Sequence, residues 1–387
     1  MNDFVYSYPV KVYFGTDAAQ KAISQELDKY GNKIMLAYGG GSVKRSGVYD
    51  AVTEMLKEAG KEIVDFSGIM PNPTYAKVQE GAKMVREKGI DFILAVGGGS
   101  VIDCCKIISA QAKTEKDIWE MEFEEHVYPT EFIPMGAVVT ASGTGAEMNN
   151  GAVITNEEKK IKTGVLGAFA SFAALDPAYT ASLPARQVIS GAFDTLSHCM
   201  ETYFGSPRTA NVSDEINEAV MRNVIRNLRM VVKDNQNMEA RRELMWDSAM
   251  AENGILKIGK ATDFQAHMIE HQLGAYTDCN HGCGLAVIHP VLYRHIYTGA
   301  AERFAHFAEA VWGVSGEGKT REEAALAGIQ ALADFIKEIG LPTNFGELGI
   351  EPEEGMLRAV AETSNIQAGC CKKLTRDEIF EILMECR

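Results

Sequence analysis

Five side chains in the second half of the sequence have the types and spacing to hold a divalent cation. Asp194 and His198 stand four apart in GAFDTLSHCMETYFG, and His267 and His271 stand four apart in DFQAHMIEHQLG, so each pair shares one helix face. His281 follows His267 by fourteen residues, in the glycine-flanked stretch YTDCNHGCG. A histidine on an apolar helix face is as a rule a satisfied core residue, so one pair alone says little. Together the five lie among small and apolar neighbours, where an unpaired carboxylate is costly to bury and a cation removes the cost. Imidazoles with a carboxylate suit iron(II) or zinc, and affinity order does not choose between them. Cys279 and Cys283 flank His281 but form no cysteine-rich tetrahedral set, so the imidazoles are the preferred donors.

A second kind of chemistry lies in the first half. Two apolar runs pass directly into glycine, one at Gly39, Gly40, Gly41 and Ser42, the other at Gly97, Gly98, Gly99 and Ser100. Glycine lets the main chain approach a ligand, and a following helix offers N–H groups to a pyrophosphate. The G-x-G-x-x-G fingerprint is absent from both, because Lys44 and Ile102 stand where its third glycine belongs. A third polar turn, Thr140 to Gly145, supplies hydroxyls and amides suited to a nicotinamide. No acid that would grip a ribose 2′-hydroxyl lies near the first turn, whereas Ser42, Lys44 and Arg45 suit a 2′-phosphate. The expected cofactor is NADP(H) in preference to NAD(H).

The elements that must position these groups are legible from periodicity. Strands are predicted at 33–38, 62–66, 91–96 and 133–139, with helices in VYDAVTEMLKEAG and YAKVQEGAKMVREKG between them, both stopping at glycine. This alternation implies an α/β domain with a parallel sheet flanked by helices. The opening VYSYPVKVYFG reads as extended, either pairing with a second chain in a homodimer or forming an edge hairpin. Beyond LDPAYTASLP the pattern is helical without alternating strands, so domains of 1–180 (dinucleotide-binding) and 181–387 (helical, metal- and substrate-binding) are expected.

Composition limits the alternatives. With 53 acidic against 38 basic residues and a formal charge of −15, long-range repulsion disfavours nucleic acid. No apolar run reaches membrane-spanning length and MNDFVYSYPV has no leader pattern, so a cytoplasmic chain with no membrane partner is expected. Eight scattered cysteines read as reduced thiols. Residues 313–320 fit the P-loop pattern, but the preceding AAERFAHFAEAVWG reads as a helix rather than a strand, and Thr320 with Glu323 reads as a capping box. HMIEH (267–271) matches a metallopeptidase signature with Glu270 as base. That hydrolase reading leaves both glycine turns without a role and stands as the alternative.

The ordered set PNPT (71–74), GGGSVID (97–103), TASGTGAEMN (140–149), LDP (175–177), DTLSH (194–198) and HMIEH resembles the iron-containing (group III) alcohol dehydrogenases, nearest their butanol dehydrogenase and aldehyde reductase branch. The resemblance spans nearly the whole chain and implies a dehydroquinate synthase-like fold. It implies Asp194, His198, His267 and His281 as the metal ligands, with His271 near the substrate but outside the metal's shell. It also implies cofactor contacts at Asn72, Gly97, Gly98, Ser100 and Asp103, with Thr140 and Ser142 near the nicotinamide and Lys160 on a ribose. NAD-preferring members carry an aspartate where Gly39 stands. The implied reaction is hydride transfer between cofactor and an aliphatic aldehyde or primary alcohol. Met148, Asn149, Trp246 and Phe264 are candidates for the substrate pocket.

Overall fold

The computed structural model describes residues 2–208 and 211–387. They divide into two compact units, Ser7–Pro184 and Ala185–Arg387, the residues before Ser7 going with the second.

The first unit runs β1 (Lys11–Phe14), α1 (Ala18–Glu26), β2 (Lys33–Tyr38), α2 (Ser42–Arg45), α3 (Val48–Glu58), β3 (Glu62–Phe66) and α4 (Tyr75–Lys88). It continues through β4 (Phe92–Gly97), α5 (Gly99–Gln111), α6 (Ile118–Phe123), β5 (Met135–Val139), β6 (Gly151–Asn156), β7 (Ile161–Leu166) and β8 (Phe172–Leu175). Six strands form one parallel sheet in the order β1-β8-β5-β4-β2-β3. Strands covered on both faces bury every side chain, which is why KIMLAY and FILAVG are almost wholly apolar. α5 sits deep in the unit, with all but its first two residues buried.

The predicted strands at 33–38 and 62–66 are found at those bounds, and the other two shift to 92–97 and 135–139. The N-terminal segment is not a hairpin: β1 pairs in parallel with β8, because α1 follows it in place of a return strand. An antiparallel hairpin does occur where none was expected, as β6 and β7 outside the main sheet.

The second unit is helical: α7 (Ala185–Tyr203), α8 (Val212–Lys233), α9 (Met238–Glu252), α10 (Gln265–Thr277), α11 (His281–Ile296), α12 (Ala301–Ala310), α13 (Arg321–Glu338), α14 (Phe345–Leu348), α15 (Glu354–Thr363) and α16 (Arg376–Glu385). Phe193, Leu196, Tyr203, Phe204, Ile269, Leu273, Ile288 and Phe304 belong to one large core. Residues 313–320 join α12 to α13, and Thr320 and Glu323 form a reciprocal capping box, so the P-loop match has no preceding strand. Among the described residues no helix is long and apolar enough to cross a membrane.

Candidate active site

Within the helical unit the Nε2 atoms of His198, His267 and His281 lie 3.5, 3.3 and 3.4 Å from Asp194 Oδ1. Two helices and a helix start build this cluster. Asp194 and His198 are one turn apart on α7, His267 opens α10, and His281 is the first residue of α11. α11 starts there because Asn280 caps it, its Oδ1 accepting from Cys283 N–H at 3.1 Å. α10 has no such cap; Phe264 precedes it at φ 55, a left-handed conformation that costs a bulky residue about 1–2 kcal/mol. That backbone sets the Phe264 ring 5.0 Å from His267 and 5.6 Å from His198.

Each imidazole has a buried carboxylate behind it. His267 Nδ1 meets Glu201, His281 Nδ1 meets Glu270, and His198 Nδ1 lies 2.9 Å from Glu252 Oε1. Nitrogen Nδ1 therefore faces an anion while Nε2 faces Asp194, the arrangement in which a histidine keeps its Nε2 lone pair for a cation. Burial alone would depress the His267 imidazole, but Glu201 and Asp194 outweigh it and push it up to about 10. His281 is raised by Glu270 and Asp194 against the same burial. Asp194 is buried yet held well below the usual carboxylate range by His281 and His198. Four buried acids around three imidazoles demand positive charge, which three bound protons or one divalent cation can supply. Three imidazoles and a carboxylate with oriented Nε2 atoms fit the second.

Glu270, His271 and His281 also converge, but Glu270 is engaged by His281 and is wholly inaccessible. It therefore cannot act as the free base that the hydrolase reading needs. The His271 ring stands 5.9 Å from that of His267 and 5.4 Å from that of His281, beside the cluster rather than in it. Cys279 Sγ points to Glu270 Oε1 at 3.7 Å, and none of the eight cysteines, all among the described residues, is in a disulfide. Of the pocket candidates in this unit, Phe264 lines the cluster, while Trp246 is 40% exposed on α9.

In the α/β unit the glycine turns follow β2 and β4. Gly41 adopts φ 111 ahead of α2, and α5 begins after Gly98 with no side-chain cap, leaving its first N–H groups open to an anion. A Cβ on Gly99 would lie 2.4 Å from Thr144 Oγ1, and one on Gly98 would lie 3.1 Å from Ala141 Cβ. Thr140 N–H donates to Gly97 O at 2.9 Å, so the Thr140–Gly145 turn packs directly on the second glycine turn. Gly97, Gly98, Gly99, Ser100, Thr140 and Ser142 are thus brought together. Lys44 lies over the rings of Tyr38 and Tyr49, at 5.0 and 4.5 Å. Asn72 has φ 53 and Lys160, with φ 52, sits in the turn between β6 and β7. Asp103, expected on the cofactor, has its carboxylate within the protein: Oδ2 accepts from Val153 N–H at 2.9 Å and Oδ1 lies 3.4 Å from Lys106 Nζ. Met148 is buried and Asn149 accepts from Lys106.

The family model for iron-containing alcohol dehydrogenases matches residues 9–177, and the model for the C-terminal part of that family matches 188–386. The chain belongs to the iron-containing alcohol dehydrogenase family. It is 38% identical to a probable NADH-dependent butanol dehydrogenase 1 of Bacillus subtilis, over 99% of both chains. It is also 34% identical to the NADPH-dependent aldehyde reductase YqhD of Escherichia coli, over 97% of both. The crystal structure of an NADH-dependent butanol dehydrogenase A from Thermotoga maritima superposes with TM-score 0.94 at 33% identity, covering 100% of this chain and 99% of that one. Fold and family agree: this is a dehydroquinate synthase-like fold, and the protein is an oxidoreductase of alcohols and aldehydes using a nicotinamide cofactor and a metal.

As an iron-containing alcohol dehydrogenase the chain has buried carboxylates behind its imidazoles that sequence reading did not single out in that role, Glu270 having entered only as the base of the hydrolase reading. Glu201 continues the α7 face at i+7 from Asp194, and Glu270 lies at i+3 from His267, so helical period contained both signals. Glu252 comes from the end of α9 with no local pattern to mark it. Ser197 Oγ bonds His289 Nε2 at 2.6 Å, and burial brings that imidazole down to about 4, so it is neutral at pH near 7.

Proposed function

We propose that the protein reduces short to medium aliphatic aldehydes, such as butanal, to primary alcohols with NADPH, with one divalent ion, iron(II) or zinc, held by Asp194, His198, His267 and His281. The convergence of three imidazole Nε2 atoms on Asp194 Oδ1 carries this reading. When bound, the ion supplies Lewis-acid polarisation of the substrate oxygen and the dihydronicotinamide supplies hydride. Glu201, Glu252 and Glu270 hold the ligand tautomers. Phe264 shields one side of the cluster from water. His271, one turn along α10 from His267, delivers the proton to the substrate oxygen as the alcohol forms.

Residues 1–180 would bind the dinucleotide through Gly39, Gly40, Gly41, Ser42, Asn72, Gly97, Gly98, Gly99, Ser100, Thr140, Ser142 and Lys160, and 181–387 the metal and substrate. Relatives divide between NADH and NADPH by name. The absence of an acid at Gly39 and the presence of Ser42, Lys44 and Arg45 favour NADPH. Exposed Phe4, Val5 and Tyr6 ahead of the edge strand β1 support a homodimer, and the protein is proposed to work in the cytoplasm.

The test is butanal-dependent oxidation of NADPH by protein stripped with a chelator and then resupplied with iron(II) or zinc. Turnover should vanish and return; folded protein inactive with both ions contradicts the proposal. In the same assay kcat/KM should favour NADPH over NADH by at least about tenfold, roughly 1.4 kcal/mol. Equal turnover at limiting NADH would remove the cofactor preference.

A further inference from the structure

Lys106, in the interior of α5, carries a charge that the proposed reaction leaves unused. It is wholly inaccessible, and a buried ammonium is tolerated only when its donors are satisfied. Its Nζ donates to Gly151 O at 2.6 Å and to Asn149 Oδ1 at 3.1 Å, and lies 3.4 Å from Asp103 Oδ1. Gly151 begins β6. The other Asp103 oxygen accepts from Val153 N–H, two residues further along the same strand, at 2.9 Å. At the same open end of the hairpin, just beyond Leu166, which pairs with Gly151, Gly167 passes so close to α5 that a Cβ there would lie 2.7 Å from Lys106 O.

The β6–β7 hairpin stands outside the main sheet, so the sheet's own ladder does not fix it. Other contacts hold it as well, among them Lys159 Nζ at 3.2 Å from Glu124 Oε1 near the turn. Thr155 N–H donates to Pro73 O at 2.9 Å, beside Asn72, and Glu122 of α6 accepts from Leu166 N–H at 2.8 Å. The hairpin turn carries Lys160, whose left-handed φ of 52 fixes how it leaves the turn. One end of the hairpin is thus pinned by an ion pair on α5, the helix that starts at the second glycine turn, and the other presents a lysine.

We propose that Asp103 and Lys106 are positioning residues that lock β6–β7 to α5 and so hold Lys160 in register with the glycine turn for the cofactor ribose. This inference rests on the assignment of Lys160 to that ribose made above. It moves Asp103 from cofactor contact to support of another residue, and it predicts that both members of the pair act through Lys160.

The experiment is calorimetric titration of NADPH into metal-loaded protein for Lys160→Ala, Lys106→Met and the double variant, with amide exchange across residues 151–166. Lys160→Ala and Lys106→Met should each raise the NADPH Kd about tenfold, with the double variant little worse than either, because coupled residues are non-additive. Exchange in the hairpin should accelerate in Lys106→Met while β2, β4 and β5 stay protected. Losses that multiply in the double variant, or an unchanged Kd in Lys106→Met, overturn the positioning role. A Lys160→Ala protein that binds NADPH like the parent removes the ribose assignment itself, a separate failure that also takes the inference with it. If Lys106→Met does not fold, the nearly isosteric Asp103→Asn carries the same test, since it keeps an acceptor for Val153 N–H and loses the charge facing Lys106.

Discussion

At the scale of single residues, the ligands and the carboxylates behind them have separable effects. In the proposed metal centre Asp194, His198, His267 and His281 would contribute the donor atoms, whereas Glu201, Glu252 and Glu270 lie against the imidazole Nδ1 atoms and would keep Nε2 turned inward. Replacing Glu201 with Gln leaves all four donors in place and removes one oriented charge. Metal affinity should then fall about 10–100-fold, as outer-shell changes generally produce. Competition with a chelator of known affinity measures this, and an affinity equal to the parent's would deny Glu201 its orienting role. Five candidate ligands were legible because two pairs repeat at helical spacing and a third segment adds a lone histidine; spacing did not set His271 apart from the other four, and the family resemblance did. The supporting carboxylates were partly hidden for a geometric reason: Glu201 and Glu270 share helices with ligands, but Glu252 arrives on a different helix, and one-dimensional spacing cannot report that approach.

At the scale of elements, β2, β4 and β5 could be read because strands buried on both faces are continuous apolar runs, while the edge strand β3 (EIVDF) has only Phe66 buried. β8 could not: FAAL is four residues long, carries no β-branched side chain, and becomes a strand only through β1 and β5 on either side. β6 and β7 were masked by their glycines and lysines: β6 alternates in burial, but in β7 the adjacent Lys162 and Thr163 are both buried. The contact between the second glycine turn and the Thr140–Gly145 turn gives a direct test. Gly99→Ala places a Cβ where Thr144 now sits, so one turn must shift. The expected cost is about 1–3 kcal/mol of stability, with a raised KM for the cofactor and little change in metal content. An unchanged cofactor KM would show that the two turns are not coupled in binding.

A buried acid on α9 gives a pH prediction at the same scale. Burial, with Glu243 nearby, pushes Asp247 up to about 7 against the amide of Asn223. A carboxyl raised in the folded state holds its proton longer than in the unfolded chain. Its contribution is therefore complete below about pH 4 and is lost as pH climbs to about 7. Asp247→Asn should match the parent near pH 4 and exceed it by up to ~4 kcal/mol above pH 7. Denaturant melts at both pH values measure it, and a variant less stable than the parent at the higher pH would reverse the sign.

At the scale of the whole molecule, the chain separates two kinds of ligand between two compact units. Every metal-ligand candidate lies in Ala185–Arg387 and every cofactor candidate in Ser7–Pro184. Ligands that bind only the native state stabilise the part that holds them, by ~4 kcal/mol at a thousandfold excess over Kd. Metal should therefore slow amide exchange most in α7, α10 and α11, and NADPH most in residues 97–100 and 140–145. Uniform protection of both units by either ligand would show that the division does not hold in binding. The most direct test of the metal centre is elemental analysis of the purified chain beside Asp194→Asn, His198→Ala, His267→Ala, His281→Ala and His271→Ala. The predicted result is about one divalent ion per chain in the parent and in His271→Ala, with strongly reduced content in the other four. Equal metal loss in His267→Ala and His271→Ala, or full retention in any of the four ligand variants, would contradict it.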